Sequence, residues 1–133
     1  MSWAKVLIVD NETKFQRTVY TFLRMYDYTV LSAFNSTEGL AMVHKEHPDI
    51  ILIDVALPHK DGNAMFRELQ RDTSTHGIPV ILLYEKGQAG NQSQQDSTDY
   101  VFKSGRLVDL EKKIRSVLNT SVYKKTAGYV EEV

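Results

Sequence analysis

Three apolar runs without alternation constrain this chain most: Val6-Leu7-Ile8-Val9, Ile50-Ile51-Leu52-Ile53 and Val80-Ile81-Leu82-Leu83. A strand with one wet face alternates apolar and polar residues. A strand buried on both faces has no such alternation, and strands of that kind belong to parallel sheets covered on both sides. Two weaker runs, Tyr28 to Phe34 and Tyr100 to Phe102, read as flanking strands.

Helical patterns lie between the strands. Phe15, Val19, Phe22, Leu23 and Tyr26 share one helical face; Leu40, Val43 and His44 mark a second helix, ended by Pro48. Met65, Phe66 and Leu69 mark a third, entered through Asp61-Gly62-Asn63, and Leu107, Leu110, Ile114, Val117 and Leu118 form the last stripe. Strands alternating with helices predict right-handed βαβ units and an α/β fold with helices on both sheet faces. The stretch Glu85 to Thr98 holds Gly87, Gly90, several Gln and Ser and only Ala89 as an apolar residue, so a short frayed helix or a loop is expected there.

The 133 residues suit one domain with one core, taken as residues 1–120, with 121–133 as a tail or the start of a linker. A formal charge of -1 gives no excess of positive charge for nucleic acid or an acidic membrane surface. With no cysteine, a disulfide framework, a thiolate metal site and a Cys nucleophile are excluded. No apolar run approaches the ~20 residues needed to cross a bilayer, and MSWAKVLIVD turns acidic too soon for a signal peptide. A cytoplasmic location is the expectation.

Ligands of open α/β sheets sit beyond the carboxyl ends of the strands. Here those ends carry Asp10-Asn11-Glu12, Asp54, Tyr84-Glu85 and Lys103, so two carboxylates and an ammonium should converge on one sheet edge. No Gly-rich phosphate loop accompanies them, which argues against a nucleotide or flavin fold of similar outline. The motifs KVLIVDNE (Lys5 to Glu12), DIILIDVALPHKDG (Asp49 to Gly62), IPVILLYE (Ile78 to Glu85) and DYVFKSG (Asp99 to Gly105) come in one order over roughly residues 4 to 118. That set resembles the receiver domains of two-component response regulators.

The resemblance implies a flavodoxin-like (CheY-like), doubly wound, five-stranded parallel sheet in the order 2-1-3-4-5. It implies Asp54 as phosphoacceptor, taking a phosphoryl group from a sensor histidine kinase or phosphotransfer protein. It implies Mg²⁺ held by Asp10, Asp54 and the backbone carbonyl of Ala56, in an acidic pocket to which Asn11 and Glu12 belong. Lys103 then pairs with Asp54 and afterwards with the phosphoryl oxygens, and Tyr84 and Tyr100 occupy the switch positions. A carboxylate is a weak nucleophile toward a polyanion, so such a site needs positive charge around it. On this reading the chain is no enzyme beyond its own phosphorylation and dephosphorylation, and binds no nucleic acid or membrane.

Three positions depart from the family pattern. Asn11 stands where a second acid is usual, and the missing charge near a divalent ion costs about 1 kcal/mol or more. Tyr84 stands where Thr or Ser is usual, followed by Glu85 instead of a small residue. The phenol cannot repeat the short inward motion of a hydroxyl, and its ring would fill the space into which Tyr100 turns. Ser104 replaces a proline after Lys103, so a trans bond is expected, a cis bond before a non-proline costing about 2.5–4 kcal/mol. These departures motivate an alternative: a pseudo-receiver that acts as a protein-interaction module without phosphorylation. An α/β hydrolase-type phosphotransferase would need a second acid two residues beyond its nucleophile, where Ala56 stands. His44 and His47, three apart, lack the further ligands of a metal site and read as a solvated helix end.

Overall fold

In the computed structural model, residues 3–85 and 99–131 are described, with 121–131 as backbone alone. The expectation for Glu85 to Thr98 falls, beyond Glu85 itself, outside the described residues.

Five strands, β1 (Ala4–Val9), β2 (Tyr28–Ala33), β3 (Ile50–Asp54), β4 (Val80–Tyr84) and β5 (Asp99–Phe102), form one sheet in the order β2-β1-β3-β4-β5. Every pairing is parallel. The continuous apolar runs arise because alternate residues of each central strand feed different layers. Val6, Ile8, Ile50, Leu52, Ile81 and Leu83 face one side, where α1 (Thr13–Arg24) contributes Val19 and Leu23, and α4 (Leu107–Glu131) contributes Leu110, Ile114 and Leu118. On the other side, Leu7, Val9, Ile51, Ile53, Val80 and Leu82 meet Val43 of α2 (Ser36–Glu46) and Met65, Phe66 and Leu69 of α3 (Gly62–Arg71). Each fully buried side chain of this kind contributes about 1.5–3 kcal/mol of transfer free energy, so both layers are needed to hold the sheet.

Local chemistry sets the helix ends. Asn35 Oδ1 accepts from the Glu38 N–H at 2.8 Å, and Asp61 Oδ1 accepts from the Ala64 N–H at 2.8 Å, each satisfying an otherwise orphaned amide. The helix expected to stop at Pro48 ends earlier. His47 takes the left-handed conformation (φ 49) as its C-cap, and its N–H donates to the Val43 carbonyl. His47 therefore caps the helix, and His44 in its last turn is half-exposed beside Asp72, the solvated helix end read from the sequence. Similarly, α1 ends at Arg24, and Tyr26 lies past it with 38% of its surface exposed. The expectation for Tyr26 ran two residues past the helix end, because an aromatic ring there satisfies an apolar periodicity without being buried.

Candidate functional site

The parallel register brings four chain-distant loops to the carboxyl edge of the sheet. β1 ends beside β3, with Val9 opposite Ile53, so Asp10 and Asp54 emerge on adjacent strands. β5 lies beyond β4, and the Lys103 N–H donates to the Tyr84 carbonyl at 2.8 Å, tying the loop after β5 to the end of β4. The Lys103 side chain reaches back across the edge. Its Nζ lies 2.9 Å from Asp10 Oδ2, 3.0 Å from Glu12 Oε1, 3.4 Å from Asp54 Oδ2 and 3.7 Å from Glu85 Oε1. The expected convergence of Asp10, Asp54 and Lys103 is thus present, with Glu12 and Glu85 added to it.

Backbone amides hold both central carboxylates. Asp10 Oδ1 accepts from the Glu12 N–H at 2.9 Å, and Asp54 Oδ1 accepts from the Ala56 N–H at 3.0 Å. Both acids are almost wholly buried, Asp54 keeping only 4% of its side-chain exposure. Asp10 Oδ2 is buried with no aligned hydrogen-bond donor, so the Lys103 contact at 2.9 Å neutralises its charge without completing its hydrogen bonding. Burial pushes the Asp10 carboxyl up to about 6, the neighbouring Asp54 charge adding to the rise while Lys103 and the Glu12 amide oppose it. Burial alone would lower the Lys103 ammonium. Its close contacts with Asp10 and Glu12 and the charges of Asp10 and Asp54 prevail and hold it above the usual lysine range.

Asn11 and Ala56 are exposed at the rim, and Lys103 is followed by Ser104 without a cis peptide among the described residues. Tyr84 is buried at 2% exposure in the layer with α2 and α3, and Tyr100 is 42% exposed. Their rings meet edge-on with centroids 5.6 Å apart, and Tyr100 meets Phe102 likewise at 5.9 Å. The Tyr84 ring lies in the core and the Tyr100 ring at the surface beside it.

Two contributors escaped the sequence reading. Phe15, taken as core, places its ring 4.7 Å beneath the Lys103 ammonium. Gln16 is 3% exposed, and its Nε2 lies within hydrogen-bonding distance of the carbonyls of Ile8, Asp10 and Ala33, pinning the loop that carries Asp10. Gln16 sits three and seven residues before Val19 and Leu23, so a polar residue inside an apolar stripe was the available signal. His44 and His47 bring together no metal site, and no group of three or more His, Cys, Asp or Glu with metal-holding geometry occurs among the described residues.

Comparison with known proteins follows the same lines. The sequence model of the response regulator receiver domain matches residues 6–115. A probable transcriptional regulator, ycf27, of Guillardia theta is 33% identical over 117 residues, which span 86% of this chain and 45% of that protein. PilH of Pseudomonas aeruginosa is 32% identical over 118 residues, 86% of this chain and 98% of PilH. A CheY-like receiver domain protein from Methanospirillum hungatei has a TM-score of 0.83 at 25% identity, covering 92% of this chain and 99% of that one. The chain therefore belongs to the response regulator receiver family of two-component signalling, whose members are signalling domains rather than classical enzymes. It spans about half the length of the ycf27 relatives. No described helix is long and apolar enough to cross a membrane.

Proposed function

We propose that this domain accepts a phosphoryl group on Asp54 from a sensor histidine kinase or a phosphotransfer protein. The observation that carries the reading is the Lys103 ammonium shared between Asp10 and Asp54 at 2.9 and 3.4 Å on the carboxyl edge of the sheet. Phosphoryl transfer needs positioning and charge neutralisation more than covalent machinery. Asp54 offers one oxygen to Lys103 while the other accepts from Ala56 N–H, so the carboxylate is fixed in rotation. A P–O bond to Asp54 forms as the P–N bond to the donor imidazole breaks, the imidazole keeping the electron pair and taking a proton. Lys103 is placed to follow the new negative charge on the phosphoryl oxygens.

The donor set also fits a divalent cation. Magnesium is held by one or two carboxylates with other oxygens and water, not by an all-protein cage. Asp10 carries a buried oxygen without an aligned donor, and the Asp54 carboxylate and Ala56 carbonyl would complete the protein share. When bound, Mg²⁺ neutralises charge on the phosphoryl group. Downstream action through a protein partner, transcriptional in the manner named for the ycf27 relatives, belongs to the same proposal.

The test is incubation with acetyl phosphate and Mg²⁺, read by intact-protein mass. A phosphoprotein is expected, lost in Asp54→Asn and after Mg²⁺ removal. Absence of phosphoprotein with both acetyl phosphate and a panel of histidine kinases would favour the phosphorylation-independent interaction module. The buried Tyr84 and the acid at Glu85 are the observations on that side.

A further inference from the structure

An ammonium has three protons to donate. Asp10, Glu12 and Asp54 lie within 3.4 Å of the Lys103 nitrogen, and Glu85 follows at 3.7 Å. Four carboxylates around one cation leave the rim strongly anionic, and a phosphoryl oxygen that is to reach Lys103 must displace one of them. Asp10 is completely buried and Asp54 is the proposed acceptor itself. Glu12 and Glu85 are different: each keeps 55% of its side-chain exposure, each comes from a separate loop, and neither is needed to hold Asp54. Each of these two carboxylates borders water, whereas the Lys103 side chain between them keeps only 6% of its exposure.

We propose that Glu12 and Glu85 are resident competitors for Lys103. In the unphosphorylated domain they occupy the ammonium and oppose the arrival of a tetrahedral dianion. When the phosphoryl group binds, its oxygens replace them and both carboxylates turn outward. This rests on the phosphoacceptor reading of Asp54, and assigns to two further side chains the setting of the threshold for phosphoryl binding. The usual small residue after β4 has no charge with which to do this, whereas Glu85 reaches the same nitrogen that Glu12 reaches from the opposite loop.

The experiment is a titration with beryllofluoride at saturating Mg²⁺, followed by ¹⁹F NMR. It compares the wild type with Glu12→Gln, Glu85→Gln and the double variant, each with and without Asp54→Asn. A unit charge removed at roughly 6 Å in a half-solvated rim predicts about 3- to 10-fold tighter binding per substitution. The double variant should bind tighter than either single one. Added salt should strengthen binding to the wild type more than to the double variant, a signature that a merely structural role would not produce. Mg²⁺ affinity, measured separately by titration of the same proteins, keeps loss of the cation from being mistaken for loss of the anion. Unchanged or weaker beryllofluoride affinity in both single variants, with wild-type binding that depends on Asp54, would overturn the competitor role and leave the phosphoacceptor reading standing. Binding absent from every background would overturn both. Binding seen only in the glutamine variants and lost with Asp54→Asn would support both.

Discussion

Asp10 is a carboxylate held out of water. Its side chain is fully buried, and desolvation raises its carboxyl to about 6 against an ordinary value of 3.8. Between those two values the folded protein retains a proton that the unfolded chain has released. Stability of the metal-free domain therefore falls as pH rises from about 4 to about 6, by roughly 1–3 kcal/mol from this group. Asp10→Asn should remove that slope and stabilise the metal-free protein at pH 7, while weakening Mg²⁺ binding. Urea unfolding of both proteins in EDTA at pH 4.5 and pH 7 measures it; equal pH dependence in the two would show that Asp10 is already ionised at no cost.

At the scale of elements, the joint between β3 and α3 fixes where Asp54 points. Gly62 opens α3, its N–H donates to the Val55 carbonyl, and a Cβ placed there would lie 2.2 Å from the Asp54 carbonyl oxygen and 2.7 Å from Val55 Cα. Backbone cannot yield as a side chain does, so Gly62→Ala should destabilise by about 2–4 kcal/mol. It should also displace Asp54, lowering phosphoprotein yield from acetyl phosphate even where the variant is fully folded. A variant of wild-type denaturation midpoint would refute this close approach. Much of this architecture was legible in the residues. The buried strands announced themselves because nothing polar interrupts them, and the acids and the lysine stood at strand ends that a parallel sheet must gather on one side. What escaped was long-range and side-chain specific. The Gln16 amide turns into the sheet edge to meet three carbonyls that a linear pattern does not reveal as neighbours, and Phe15 serves the ammonium as well as the core. Glu85, one residue past β4, reaches the Lys103 ammonium at 3.7 Å, a contact between separate loops that a linear pattern does not show.

For the whole molecule, the last helix α4 covers one of the two apolar layers. Among the residues whose side chains are described, Leu110, Ile114 and Leu118 of α4 lie in the core, and the helix continues to Glu131, a total of 25 residues or ~37 Å at 1.5 Å each. From the domain boundary inferred from sequence, we expect a chain cut after residue 120 to unfold within about 1 kcal/mol of the 133-residue chain by urea denaturation. A loss beyond about 2 kcal/mol would place the segment 121–133 inside the folding unit, contrary to the domain boundary inferred from sequence.

The peptide bond between Phe102 and Lys103 has one more consequence. Its N–H hangs on the carbonyl of Tyr84, so the lysine's own main chain is moored to the last residue of the neighbouring strand. Should the amine be drawn toward a new anion, the tension reaches that mooring first, and behind it stands an aromatic ring wedged in the core with a second ring leaning on its edge. The rim amine and the aromatic pair at the sheet's outer border are thus two ends of one short backbone link.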